Sequence, residues 1–165
     1  MAQNFDPNIA NQIEGQVTGL TVLDPASTFI GELGNLVVRP DQDFQVKIDW
    51  EVFQQLSSLW VLGLGALGAS WDVRVYAESV GPGDEIQIGQ ATVPTSASIA
   101  CSVNGPPCLG FTATVNVQAG TLQEDVAGQA GVYKLVGTVF LNSAIGPFDM
   151  SGYQEGPIIR VENPN

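Results

Sequence analysis

Cys101 and Cys108 are the residues of this sequence whose spacing points most directly to chemistry. They enclose Ser-Val-Asn-Gly-Pro-Pro, in which Asn104-Gly105 favours a tight turn. Because such a turn would bring the two cysteines side by side, we expect a disulfide bond that closes a loop of about eight residues. The alternative is a pair of buried free thiols. With two cysteines and no histidine, the sequence disfavours a zinc site.

Three pairs of carboxylates are the next candidate ligands. They are Asp41 and Asp43, Asp84 and Glu85, and Glu124 and Asp125. All three fall in predicted turns, where acidic residues solvate and bend the backbone. Asp41 and Asp43 are the candidate calcium ligands, because they directly precede the best-patterned strand. No segment matches the helix-loop-helix calcium loop, so solvation of the turns is the favoured interpretation and no cofactor is expected.

The sequence lacks the usual catalytic groups. It contains no histidine, and five lysines and arginines stand against 17 aspartates and glutamates. A serine hydrolase triad therefore lacks its base, and a serine–lysine dyad would have to use Lys47 or Lys134, which both lie in predicted strands. A carboxylate pair of the glycosidase kind needs no histidine, but among so many acids it has no specificity. We predict that the protein is not an enzyme and has no catalytic residues.

The formal net charge of −12 limits the partners that the chain can bind. It repels nucleic acid and anionic membrane surfaces, and it could attract divalent cations or a basic protein. No stretch approaches the roughly 18 apolar residues of a membrane span, so no integral membrane segment is expected. Charged residues make up only 13% of the chain, so small polar residues must cover much of the surface. Such a surface suits contact between copies of the chain.

Two signals for the compartment conflict. A bridge between Cys101 and Cys108 favours an extracellular or other oxidising compartment. Residues 1–8 are polar and contain no basic residue, so we do not expect a signal peptide there. A cytosolic location therefore stays open.

The elements that must position these residues are strands, and residues 44–52 show the clearest pattern. Five apolar residues alternate there with four polar ones: Phe44, Val46, Ile48, Trp50 and Val52 with Gln45, Lys47, Asp49 and Glu51. Residues 71–77 alternate in the same way, which is typical of strands with one buried face. We expect Trp50 and Trp71 to meet in the core.

Further strands are predicted along the rest of the chain. They cover residues 16–23, 33–38, 86–91, 111–117, 132–141 and 158–161. The nearly continuous apolar run at 132–141 indicates a central strand that is buried on both faces. Residues 151–157 are predicted to form a turn in which Tyr153 stacks across the edge of the fold.

The pattern of eight or nine short strands separated by turns predicts an all-β protein, a single-domain antiparallel β-sandwich. Either an immunoglobulin-like or a jelly-roll strand order would fit. Residues 1–12 are predicted to be an N-terminal arm, 13–162 the sandwich domain and 163–165 a C-terminal tail.

Residues 53–68 depart from the strand pattern, with the sequence FQQLSSLWVLGLGALG. Their leucines are near helical spacing, but Gly63, Gly65 and Gly68 argue against a regular helix past Leu62. We expect a glycine-rich apolar connection that plugs one end of the sandwich. The alternative is an exposed loop that contacts another subunit or a lipid surface. The candidate self-association residues are Leu59, Trp60, Leu62, Leu64 and Leu67.

Two functional classes fit these observations. The favoured one is a structural protein whose subunits associate with copies of themselves through a low-charge surface, the apolar connection and the N-terminal arm. The alternative is a monomeric binding module for calcium, carbohydrate or a basic protein that uses the acidic loops.

Overall fold

The computed structural model describes residues 4–7, 9–23, 36–124, 131–143 and 146–163. These residues form nine strands, one α-helix and one 3₁₀ turn. The strands are β1 (Phe5–Asp6), β2 (Glu14–Leu23), β3 (Leu36–Val38), β4 (Phe44–Phe53), β5 (Ser70–Ser79), β6 (Ile86–Pro94), β7 (Cys108–Val117), β8 (Val132–Ser143) and β9 (Gly146–Val161). The helix α1 is Ser57–Ala66, and the 3₁₀ turn is Thr95–Ala97. Residues 33–35 of the predicted strand 33–38 lie outside the described residues.

The strands form two sheets with the hydrophobic core between them. The larger has six strands in the order β1-β9-β8-β5-β6, with β3 also beside β9. The smaller has the order β2-β4-β7. Among the described residues every pairing is antiparallel except that of β3 with β9. The predicted all-β sandwich is confirmed.

Alternation of apolar and polar residues builds the core. The apolar side chains of β4 and β5 face inward and are almost completely buried. The ring centres of Trp50 and Trp71 lie 5.6 Å apart, and the ring planes meet at 71°. This is the edge-to-face arrangement that aromatic pairs favour. Phe111 of β7 stacks on Trp50 with ring centres 5.5 Å apart. The predicted meeting of the two tryptophans is confirmed.

Two interpretations near the C-terminus are wrong. Along β8, buried and half-buried residues alternate, because the smaller sheet covers only one face of the larger one. Residues 151–157 belong to β9 and form no turn, and Tyr153 is exposed on the outer face. The glycines that suggested a turn serve close packing instead, since a Cβ at Gly152 would overlap the ring of Phe5.

Part of the predicted arm belongs to the larger sheet. Phe5 and Asp6 pair with Gly152 and Ser151 of β9. The Phe5 ring is buried, with its centre 6.3 Å from that of Trp71. The prediction that residues 1–12 form an arm outside the sandwich domain is therefore wrong at these two positions.

Candidate functional site

One end of the sandwich brings together two features that the sequence singled out, the cysteine pair and the apolar segment 53–68. The end of β4 and the start of β7 meet there, where Phe53 pairs with Cys108. The start of β5 and the end of β6 meet there as well, where Ser70 pairs with Pro94. The helix α1 connects β4 to β5 and so crosses this end from the smaller sheet to the larger one. The helix and the connection between β6 and β7 therefore form part of the surface of this end, beside the start of β2, the end of β8 and the start of β9.

The helix is anchored to the sandwich at its first turn. The hydroxyl of Ser57 donates a hydrogen bond to the carbonyl of Phe53, and the N–H of Leu56 donates to the carbonyl of Gln12 at 3.0 Å. The side chains of Val61 and Leu64 are buried against the core. α1 has ten residues, and no helix in the described parts of the chain is long and apolar enough to cross a membrane.

The outer side of this segment is apolar and exposed. Leu59 is 73% exposed, and its apolar neighbours on the same surface are also exposed. These neighbours are Leu56, Trp60, Leu62 and Leu67. The prediction that Leu64 is a self-association residue is wrong, because its side chain points into the core and is only 8% exposed. The segment thus plugs the sandwich with one side and presents leucines and a tryptophan with the other.

The expectation that glycines end the helix near Leu62 is wrong, since α1 continues to Ala66. A Cβ at Gly65 would overlap the hydroxyl of the buried Thr95, so glycine there allows the helix to lie directly on the 3₁₀ turn. Packing against the turn outweighs the low helix propensity of glycine. Gly68 ends the segment with φ +81°, and its N–H donates to the carbonyl of Gly65 at 2.9 Å.

We expect opposite effects when alanine replaces two glycines of α1. Gly65→Ala should lower the free energy of unfolding by about 2 kcal/mol, because the new methyl group must displace Thr95. Gly63→Ala should raise it by up to about 1 kcal/mol, since nothing lies within 4 Å of a Cβ there and alanine favours the helix. Urea denaturation of both variants is the test, and equal effects in the two would contradict the packing argument.

The loop between Cys101 and Cys108 lies beside the start of α1. The predicted disulfide is present, with the Cα atoms 6.2 Å apart. Outside the bridged loop, Ile99 and Gly110 form an antiparallel bridge, so the flanking segments meet as expected. The N–H of Gln54 donates to the carbonyl of Pro107 at 3.0 Å, which ties the loop to the residues that lead into the helix.

This loop wraps around the carboxylate of Glu51, a role that the sequence did not reveal. Oε1 accepts bonds from the N–H of Ser102 at 2.6 Å, the N–H of Val103 at 2.9 Å and the Ser102 hydroxyl at 3.1 Å. Oε2 accepts from the N–H and the side-chain amide of Asn104, both at 2.8 Å. Glu51 is only 2% exposed. Consecutive backbone N–H groups thus form a concave anion site around its charge.

Two opposing influences set the pKa of Glu51. Burial is the largest single one and acts to raise it, because a low-dielectric surrounding disfavours the charge. Hydrogen bonds from the N–H groups of Val103, Asn104 and Ser102, and from the Asn104 side chain, act against burial. Together they hold the pKa of Glu51 below its ordinary value, so the carboxylate is ionised at neutral pH.

The connection between β6 and β7 adds two further exposed apolar residues to this end. They are Val103, whose N–H bonds to Glu51, and Ile99, whose backbone bridges to Gly110. We call the combined surface the apolar end. It consists of Leu56, Leu59, Trp60, Leu62, Leu67, Ile99 and Val103.

Charged residues are absent from the segments that build this surface. Residues 52–71, which include α1, contain no Asp, Glu, Lys or Arg. Residues 86–123, which include β6, the bridged loop and β7, contain none either. The net charge of −12 is therefore carried by the rest of the chain.

Asp41 and Asp43, the candidate calcium ligands, both make contacts within the protein. The carboxylate of Asp41 accepts two bonds from Arg39, at 3.0 and 2.9 Å, and these bonds lower the pKa of Asp41. Oδ1 of Asp43 accepts from the N–H of Ala119 at 2.7 Å. Each carboxylate thus has a separate structural partner.

Within the described ranges, one group of three potential metal ligands lies close together: Glu51, Cys101 and Cys108. The two sulfur atoms are bonded to each other, and the carboxylate is occupied by N–H donors. The group therefore offers no open set of ligands to a cation. It stabilises the loop.

Comparison with known proteins assigns this chain to no family. No family model and no curated protein matches the chain. Among solved structures, the chain is similar to a bacterial adhesin from Mobiluncus mulieris that contains intramolecular disulfide, isopeptide and ester bond cross-links. The TM-score is 0.41 with 10% sequence identity, and the match covers 88% of this chain and 49% of the adhesin chain. The chain thus spans about half the length of that structure.

Proposed function

We propose that this chain is a non-enzymatic structural subunit that associates with copies of itself through the apolar end. The observation that carries the proposal is the set of large apolar side chains exposed on α1 and at its two ends, together with Val103 on the bridged loop and Ile99 just before that loop. Contiguous exposed apolar surface with polar surroundings is typical of protein contacts. The disulfide and Glu51 hold the loop in place, so little ordering is required on contact.

The distribution of charge supports a second copy as the partner. Two copies that each carry −12 repel one another, and the repulsion is strongest where their charged faces approach. A contact through residues 52–71 and 95–107 brings no charged side chain of those segments into the interface. The remaining repulsion acts at longer range and is screened by salt. Association should therefore become stronger as ionic strength rises.

The test is a single charge placed in the centre of this surface. Leu59→Glu should leave the fold intact, because the side chain is largely exposed, and it should convert the wild-type oligomer to a monomer. The mass of both proteins in solution is measured by sedimentation velocity over a range of protein and salt concentrations.

Ile158→Glu is the matched control, since Ile158 is also exposed but lies on β9, outside the apolar end. It adds the same charge and should leave the oligomer unchanged. A wild-type chain that stays monomeric at all concentrations, or an equal loss in both variants, would overturn the proposal.

A further inference from the structure

A second surface with binding character lies on the outer face of the larger sheet. It is a shallow basin of about 730 Å³ across β5, β8 and β9, closed on one side by residues at β1. Its lining contains four aromatic residues, of which Phe5 is buried in the core. The other three aromatic residues and the three charged ones are Tyr76, Phe140, Tyr153, Asp6, Asp72 and Arg74. None of these belongs to the apolar end.

Strand register brings the aromatic residues together although they are far apart in sequence. Phe140 lies between Asp72 and Ser151 in one row across the sheet. In the next row, Thr138 lies between Arg74 and Tyr153. Rows on one face of an antiparallel sheet are about 7 Å apart, so an aromatic ring stands in each of two adjacent rows.

Tyr76 adds an aromatic ring in a third row, where it pairs with Val136. Tyr153 is the most open of the three rings, at 49% exposed, and its N–H donates to the carbonyl of Asn4 at 2.9 Å. The three rings therefore stand on neighbouring strands of one sheet face, and they form an open platform.

Polar groups are fixed beside these rings. Nε and Nη2 of Arg74 both donate to Oδ2 of Asp72, at 3.0 and 2.6 Å. The hydrogen bonds to Asp72 raise the pKa of Arg74, with a smaller contribution from the neighbouring Tyr76. Because both bonds end on Oδ2, Oδ1 of Asp72 can accept from another donor, and the guanidinium keeps further N–H groups for an acceptor. The pair thus offers donors and acceptors side by side.

The charge of the basin selects the class of ligand. Arg74 and Asp72 compensate each other, which leaves Asp6 as the unpaired charge among the lining residues. Anionic ligands are repelled by this site and by the net charge of −12. A neutral ligand with an apolar face and many hydroxyl groups matches flat aromatic rings bordered by paired donors and acceptors. We infer that the basin binds neutral carbohydrate chains.

Affinity electrophoresis of the full chain in gels that contain neutral polysaccharides tests this inference. The probes are xylan, mixed-linkage β-glucan, galactomannan and soluble starch, one in each gel. At least one polysaccharide should retard the wild-type chain. Tyr153→Ala should weaken that binding by about tenfold, because an exposed aromatic contact is lost. Tyr76→Ala should weaken it as well, which provides a second variant in the basin.

Ile158→Ala is the matched control, since it removes an exposed apolar side chain of β9 that belongs neither to the basin nor to the apolar end. It should leave the retardation unchanged. The inference is wrong if none of the four polysaccharides retards the chain, or if Ile158→Ala weakens binding as much as Tyr153→Ala does. A different result would instead assign the basin to a basic partner. In that case a gel with polylysine would retard the wild-type chain but not Tyr153→Ala, and the polysaccharides would have no effect. These outcomes do not depend on whether copies of the chain associate.

Discussion

Glu51→Gln is expected to lower the free energy of unfolding by about 3 kcal/mol at neutral pH, a large fraction of the stability of a typical domain. The amide keeps one acceptor oxygen, but its NH₂ group meets N–H donors of the loop, among them that of Asn104. Buried donors then lose their acceptor, and hydrogen bonds to a charge are among the strongest in proteins. Urea denaturation at pH 7 measures the loss.

Asp49→Asn is the matched control for this prediction. Asp49 lies on the same strand, and its carboxylate pairs with Lys47 at 2.9 Å on the partly exposed outer face. Such surface pairs contribute little, so we expect a change within about 0.5 kcal/mol. Equal losses in the two variants would show that the anion site around Glu51 has no special contribution to stability.

The same variant should change how stability depends on pH. The pKa of Glu51 is lower in the folded chain than in the unfolded one, so its contribution is complete above the unfolded pKa. It is lost as the pH falls from about 4.3, the ordinary value of a glutamate, through the lower folded value. The stability curves of wild type and Glu51→Gln should therefore converge in acid. Parallel curves down to pH 2 would contradict the assignment.

The sequence predicts those parts of the fold that depend on local patterns. Apolar residues recur at every second position in residues 44–52 and 71–77, and this pattern requires only that one side of each strand be buried. The two tryptophans on these strands are in contact, as predicted. The disulfide was predictable for the same reason, since its cysteines and turn lie within a few residues of one another.

The parts that were missed depend on contacts between distant segments. Glu51 looks like the next outward residue of β4, and only the return of the chain at Ser102 to Asn104 makes it buried. Gly65 looks like a helix breaker until Thr95 is placed against it. The aromatic platform on the larger sheet combines residues of β5, β8 and β9. Predicting it requires the order of the strands in the sheet, and the alternation of apolar and polar residues does not reveal that order.

Removal of the disulfide should have an effect nearly as large as loss of the Glu51 charge. In Cys101→Ser/Cys108→Ser, the unfolded chain regains the entropy of a loop of about eight residues, which corresponds to about 2.5 kcal/mol on the chain-entropy model. Oxidised and reduced wild-type protein should differ by a similar amount. Urea denaturation of the double serine variant measures the loss.

The bridge and the carboxylate hold the same loop, so their effects should not add. Once the disulfide is gone, the segment from Ser102 to Asn104 is free to leave Glu51, and Glu51→Gln then has fewer native bonds to break. In a double-mutant cycle, the combined variant should lose at least about 1 kcal/mol less than the sum of its parts. Additive losses would mean that Glu51 and the bridge stabilise the sandwich independently, and that the loop keeps its place at the apolar end with either one alone.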